Sequence, residues 1–146
     1  ICSVVSAPAK VVLSSLFTDN MVLQQQTDVQ IWGMASPKKT VSIRPSWDQK
    51  LYTVRADDAG MWRTSLRTPV AGGPYSISLS DGEELMLRDV LIGEVWLCAG
   101  QSNMEMPLMG KANQPIADAV DMIVRAKPSR PIRICTIGQA GARRNG

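Results

Sequence analysis

In three runs between residues 40 and 80, apolar and polar side chains alternate. In "TVSIR" (40–44), Val41 and Ile43 alternate with Ser42 and Arg44. In "MWRTSL" (61–66), Trp62, Thr64 and Leu66 oppose Arg63 and Ser65. In "YSISLS" (75–80), Tyr75, Ile77 and Leu79 oppose three serines. A helix repeats every ~3.6 residues and cannot keep such a pattern on one face, whereas a strand with one dry and one wet face does. The alternation therefore calls for antiparallel sheet, half buried against a partner. The turns between the runs agree. "DDAG" (57–60), "AGGP" (71–74) and "SDG" (80–82) supply residues that tolerate positive φ or preset a bend, and Asp81-Gly82 between two alternating runs signals a hairpin.

Seven or eight short strands at this spacing predict a small antiparallel β-sandwich over residues 10–90. Its predicted core is Val11, Leu23, Ile31, Val41, Ile43, Val54, Trp62, Leu66, Ile77, Leu79 and Leu87. Near Asp89 the pattern changes. "VLIGEVWLC" (90–98) is almost continuously apolar, as expected of a strand covered on both faces in an α/β sheet. In "NQPIADAVDMIVRAK" (113–127), Ile116, Val120, Ile123 and Val124 form one helical stripe, with Asn113 or Gln114 as cap, Pro115 in the first turn and Pro128 as the stop. "PIRICTI" (131–137) reads as a second buried strand. Strand, turn, helix and strand make one βαβ unit of a parallel sheet, with a right-handed crossover. One such unit cannot cover its own strands, so residues 91–146 read as the truncated opening of an α/β domain. Exposed Val95, Leu97, Ile132 and Ile134 then make self-association through this segment an expectation.

Charge and cysteine content exclude several classes. A formal net charge of +3 is too small to imply a nucleic-acid partner. The basic residues Arg125, Lys127, Arg130, Arg133, Arg143 and Arg144 follow Met122 with no acid among them, the pattern of an end segment balanced elsewhere or of a patch for an anion. Three cysteines without regular spacing, and no histidine, argue against a disulfide framework and a zinc site. Cys98 and Cys135 lie in apolar runs and read as buried free thiols. No P-loop, dinucleotide-binding glycine pattern or Cys/His ligand cluster is present, so neither cofactor nor metal is expected. No apolar run approaches the ~20 residues of a membrane span. Residues 1–9, "ICSVVSAPA", resemble the end of a secretory leader with Ala7-Pro8-Ala9 as a cleavage-like site, which points to a periplasmic or secreted protein.

The candidate chemistry lies in "LIGEVWLCAGQSNMEMPL" (91–108), an apolar run that enters a tight turn and delivers Ser102. A nucleophilic serine needs exposure at the end of a rigid element, backbone N–H groups for an oxyanion, and a base. A strand end supplies the first, and the amides around Gly100–Asn103 supply part of the second. The base is missing, because the chain contains no histidine.

That string closely resembles the nucleophile block of the sialate O-acetylesterase family, carbohydrate acetylesterases of the SGNH/GDSL hydrolase type. "LFTDNMVLQQ" (16–25) resembles the family's opening strand, and "AGGPYSISLSDG" (71–82) the run leading to the block. The resemblance implies that Ser102 attacks an acetyl ester carbonyl and becomes acetylated, with its own N–H in the oxyanion hole and Gly100 allowing a close backbone turn. Gln101 and Asn103 would support the loop. Glu105 would hydrogen-bond the loop, contact a sugar, or stand in solvent. In the family the base is a histidine in a distant D-x-x-H-like element, and no position here matches it. The implied function is release of O-acetyl groups from sugars, 9-O-acetylated sialic acids foremost, by a protein of which this chain is an N-terminal fragment, inactive without the missing part of the catalytic domain. Acetylated plant polysaccharide is a further substrate class. A non-catalytic β-sandwich that binds carbohydrate or protein explains residues 10–90 equally well but leaves "GEVWLCAGQSNM" without a purpose. Trp47, in "RPSWDQ", lies outside any alternation and serves either loop packing or stacking on a sugar.

Overall fold

The computed structural model describes residues 10–100, 104, 106–126 and 132–136. It divides into two compact units, Ile1–Val95 and Trp96–Gly146. The first carries eight strands among its described residues: β1 (Val12–Leu13), β2 (Val22–Gln24), β3 (Asp28–Met34), β4 (Thr40–Pro45), β5 (Tyr52–Arg55), β6 (Met61–Arg67), β7 (Gly72–Ser80) and β8 (Glu84–Gly93). They form a three-stranded sheet of order β1-β3-β6 and a five-stranded sheet of order β2-β8-β7-β4-β5.

The alternation sets which side chains meet. Ile31, Trp62 and Leu66 from the smaller sheet share one cluster with Val41, Ile43, Ile77, Leu79 and Leu87 from the larger. Of the predicted core, all are buried except Val54, which packs half-buried against the cluster. Phe17, Ala56, Val90 and Ile92 are buried as well. The serines opposite Ile77 and Leu79 line the wet face, where Ser42 donates its hydroxyl to the Ser80 carbonyl at 3.2 Å. A one-residue slip would exchange these faces, so burial pins the β4–β7 register Ile43↔Leu79 and the β7–β8 register Leu79↔Leu85.

The turns follow their residue chemistry. Asp57 accepts the N–H groups of Ala59 at 2.9 Å and Met61 at 2.8 Å through one carboxylate oxygen. Gly60 closes that turn at φ +83°, where a Cβ would stand 2.4 Å from the Ala35 carbonyl oxygen. The Asp81-Gly82 hairpin forms between Ser80 and its partner Glu84.

One strand departs from the expected antiparallel pairing. β2 runs parallel to β8, with Val22↔Leu91, Leu23↔Ile92 and Gln24↔Gly93. The chain before β2 is tied to the β8 edge, since the Arg88 N–H donates to Asp19 at 2.7 Å and the Asn20 N–H to the Arg88 carbonyl at 3.0 Å. This delivers β2 alongside the last residues of β8. The apolar run from Val90 is therefore the end of β8, flanked by β7 on one edge and β2 on the other, and not the first strand of a separate parallel sheet. The strand stops at Gly93; residues 94–100 form no strand, and Trp96 and Leu97 are 83% and 85% exposed.

In the second unit, β9 (Gly110–Lys111) pairs with β10 (Gln114–Pro115), and α1 spans Ala119–Arg125. The helix predicted from residue 113 thus loses its first turn. Gln114 and Pro115 are held in the hairpin, which turns at Ala112-Asn113, and Asp118 enters α1 at φ 60° without a side-chain cap. Arg125 and Asp121 pair at 2.9 Å one helical turn apart. The second predicted strand is also absent over its described residues 132–136, where Ile132 and Ile134 are 78% and 89% exposed. No βαβ unit forms among the described residues. The stripe of Ile116, Val120, Ile123 and Val124 is exposed, and a helix or strand that lacks an apolar cover loses the burial that stabilises it.

Candidate active site at the exit of β8

Ser102, Gln101, Asn103 and Glu105 lie outside the described residues. What the structure does describe is the platform from which their segment departs. The three stretches that drew attention in the sequence, 16–25, 71–82 and 91–108, are far apart along the chain, yet β2, β8 and β7 are consecutive neighbours in one sheet. Gly72 pairs with Ile92 on one edge of β8 and Leu23 pairs with Ile92 on the other.

Where β8 ends, two glutamines and a glutamate interlock. Gln24 donates from Nε2 to Glu94 Oε2 at 3.0 Å and accepts the Val95 N–H on Oε1 at 2.8 Å. Gln25 donates from Nε2 to Glu94 Oε1 at 2.5 Å and accepts the Ala71 N–H on Oε1 at 2.8 Å. The Gln25 N–H also donates to the Gly93 carbonyl at 2.9 Å, which extends the β2–β8 ladder. Both oxygens of Glu94 and both ends of each amide are engaged. Thr68, 2% exposed, backs the group: its hydroxyl lies 2.7 Å from the Gln24 carbonyl and accepts the Thr27 N–H at 3.1 Å.

Hydrogen bonds from Gln25 and then Gln24 favour the charged carboxylate and hold the Glu94 carboxyl below its ordinary range. A depressed pKa means an interaction fully present above the unfolded value and lost as pH falls through the folded one. A carboxyl carbon titration followed by NMR should give Glu94 a midpoint below that of an ordinary glutamate. Gln25→Ala should move it back up, and an unchanged midpoint in that variant would show that the bond does not act on the carboxylate.

The remaining candidates are placed as follows. Gly100 is exposed, and a Cβ there would meet the flexible Met104 side chain at 2.9 Å. Trp47 sits half-buried in the loop after β4, donating its indole N–H to the Arg67 carbonyl at 3.0 Å and meeting Tyr75 edge-on at 5.7 Å. Its polar handle is thus engaged in packing the loop. Cys98 and Cys135 are free thiols, but exposed rather than buried, because the strands expected to cover them do not form among the described residues. Gln24, Gln25 and Glu94 escaped the sequence reading. The signal was a charged residue interrupting an otherwise apolar run, opposite a polar pair ending another.

No protein-family model matches the chain. It is 34% identical over 107 residues to the sialate O-acetylesterases of Pongo abelii and Homo sapiens, a match covering 66% of this chain and 20% of each relative. The mouse (Mus musculus) sialate O-acetylesterase is 35% identical over 101 residues, 62% of this chain and 19% of the relative. Among solved structures, a carbohydrate acetylesterase from Xanthomonas citri superimposes with a TM-score of 0.63 at 43% identity, covering 68% of this chain and 23% of the other. The chain spans about a fifth of the length of the curated relatives it matches.

Proposed function

We infer that this chain, which belongs to the acetylesterase family of these relatives, carries the nucleophile of a serine esterase that removes O-acetyl groups from sugars. The observation that carries the reading is the convergence of the three family-like stretches onto β2, β8 and β7, at the strand end from which the Ser102 segment leaves. Sialic acids are the substrate we favour, in keeping with the names of the curated relatives.

In the proposed reaction the Ser102 Oγ attacks the acetyl carbonyl while a base takes its proton. The sugar hydroxyl leaves with that proton, and water then attacks the acetyl-serine, releasing acetate and restoring the serine. The Ser102 N–H, in a loop opened by Gly100, stabilises the oxyanion of both steps, supported by Gln101 and Asn103. The chain has no histidine, and on this reading the base is supplied by a part of the protein beyond these residues, in an SGNH-type catalytic domain. This chain alone is then inactive. The leader-like residues 1–9 support action in the periplasm or outside the cell.

Acetate release by the full-length protein tests the reading. Release from O-acetylated sialic acid, faster than from acetylated plant polysaccharide, is the expected result. Faster release from the polysaccharide would move the substrate assignment. Binding of either without release would leave a carbohydrate-binding module in place of an enzyme.

A further inference from the structure

We propose that the wet face of the larger sheet carries a groove that binds a carboxylated sugar, with Arg44 holding the carboxylate. The choice of a sugar rests on the carbohydrate reading above; the groove does not depend on the serine.

The groove follows from side-chain height across the sheet. From residue 76 on, β7 presents serines on its wet side, Ser76, Ser78 and Ser80, and it lies between β4 and β8. In the β4–β7 register Arg44 stands beside Ser78 and Ser42 beside Ser80, while on the other flank Ser80 faces Glu84. Long side chains therefore wall a floor of hydroxyls. The result is an open groove of about 250 Å³ lined by Ser42, Ile43, Arg44, Leu51, Ser78 and Glu84. That is below the ~300–1,000 Å³ of sites for drug-sized ligands, so it suits one sugar ring.

Each polar group in the groove has spare capacity of a definite kind. The Arg44 guanidinium makes no hydrogen bond or ion pair among the described residues and keeps all its donors. Ser42 gives its proton to the Ser80 carbonyl and Ser78 gives its own to Glu84 Oε1, so both hydroxyls remain as acceptors, as does Glu84 Oε2. Leu51, 53% exposed, adds an apolar edge. The matching ligand offers a carboxylate to the guanidinium, hydroxyl donors to the serines and Glu84, and C–H surface to Leu51. A carboxylated sugar offers all three. A bare anion offers acceptors alone and would meet the Glu84 carboxylate with like charge. Sialic and uronic acids share the required chemistry.

The test titrates this chain with N-acetylneuraminic acid, glucuronic acid, methyl glucoside and acetate, following backbone amides by NMR. A sugar acid should shift Ser42, Arg44, Ser78 and Glu84 saturably, while methyl glucoside and acetate leave them in place. The tighter of the two acids identifies the source. Arg44→Met should raise Kd about tenfold or more through loss of the charge-assisted bonds. Its thermal midpoint should stay the same, because the side chain is exposed. Glu84→Ala should also weaken the sugar acid, the opposite of what removing a negative charge does for a bare anion. Saturation-transfer NMR should find the same ligand on the full-length protein. The inference is overturned by a silent groove, by equal shifts from acetate or methyl glucoside, or by an unchanged Kd in Arg44→Met. Binding by this chain that the full-length protein does not share also overturns it. Acetate release by the full-length protein, measured alongside, keeps the two readings apart. Release with a silent groove removes this inference alone, and a filled groove without release removes the esterase reading alone.

Discussion

Replacing Ser102 by alanine in the full-length protein should lower kcat for acetate release on the order of a million-fold, the scale seen when a serine hydrolase loses its nucleophile. The argument is one of route. Without the Oγ no acetyl-enzyme can form, and what remains is direct attack by water in a site that still binds substrate and still offers its backbone N–H groups. KM should change little, because the alanine removes one oxygen and leaves the loop amides in place. The folded β-unit gives an internal control, since Ser102 lies outside Ile1–Val95 and the variant should unfold at the parental midpoint. A variant with parental kcat would show that chemistry runs through another group.

The second large effect lies in the core. Ile77 is fully buried on β7, paired with Pro45 on β4 and Leu87 on β8, so it touches the strands that join the larger sheet together. Ile77→Ala removes one methylene and two methyl groups from a close-packed interior and should destabilise this unit by about 2–5 kcal/mol, measured by denaturant unfolding of this chain. Ser78→Ala is the matched comparison. Ser78 faces the wet side, where its hydroxyl donates to the exposed Glu84 carboxylate at 2.6 Å, and its loss should fall within about ±0.5 kcal/mol. Similar losses at the two positions would contradict the assignment of faces.

Much of the first unit was legible from alternation alone. Ile43, Ile77 and Leu79 are buried because each lies on the dry side of a period-two strand, and the Asp81-Gly82 turn lies where its residues predict. The parallel placement of β2 was not legible, since no local pattern encodes which edge a short strand joins; the Asp19–Arg88 contact beside it spans 69 residues. The second unit shows the opposite failure. The stripe of Ile116, Val120, Ile123 and Val124 is helical in period, but periodicity states only which side chains would be buried if a cover existed. Among the described residues that cover is lacking, and the helix is confined to Ala119–Arg125.

The candidate site divides in the same way. Ser102 was singled out because its surrounding string is specific, and it lies outside the described residues. The interlocked Gln24, Gln25 and Glu94 were invisible because they are ordinary polar residues about 70 positions apart, brought together by the pairing of β2 with β8.

The most direct measurement is to quench the full-length protein during turnover of a substrate carrying an isotopically labelled acetyl group and to map the label by peptide mass spectrometry. The account predicts one labelled acetyl on the peptide containing Ser102, absent in Ser102→Ala and decaying as acetate appears. Continued turnover with the label on another residue, or an undiminished rate in Ser102→Ala, would contradict it.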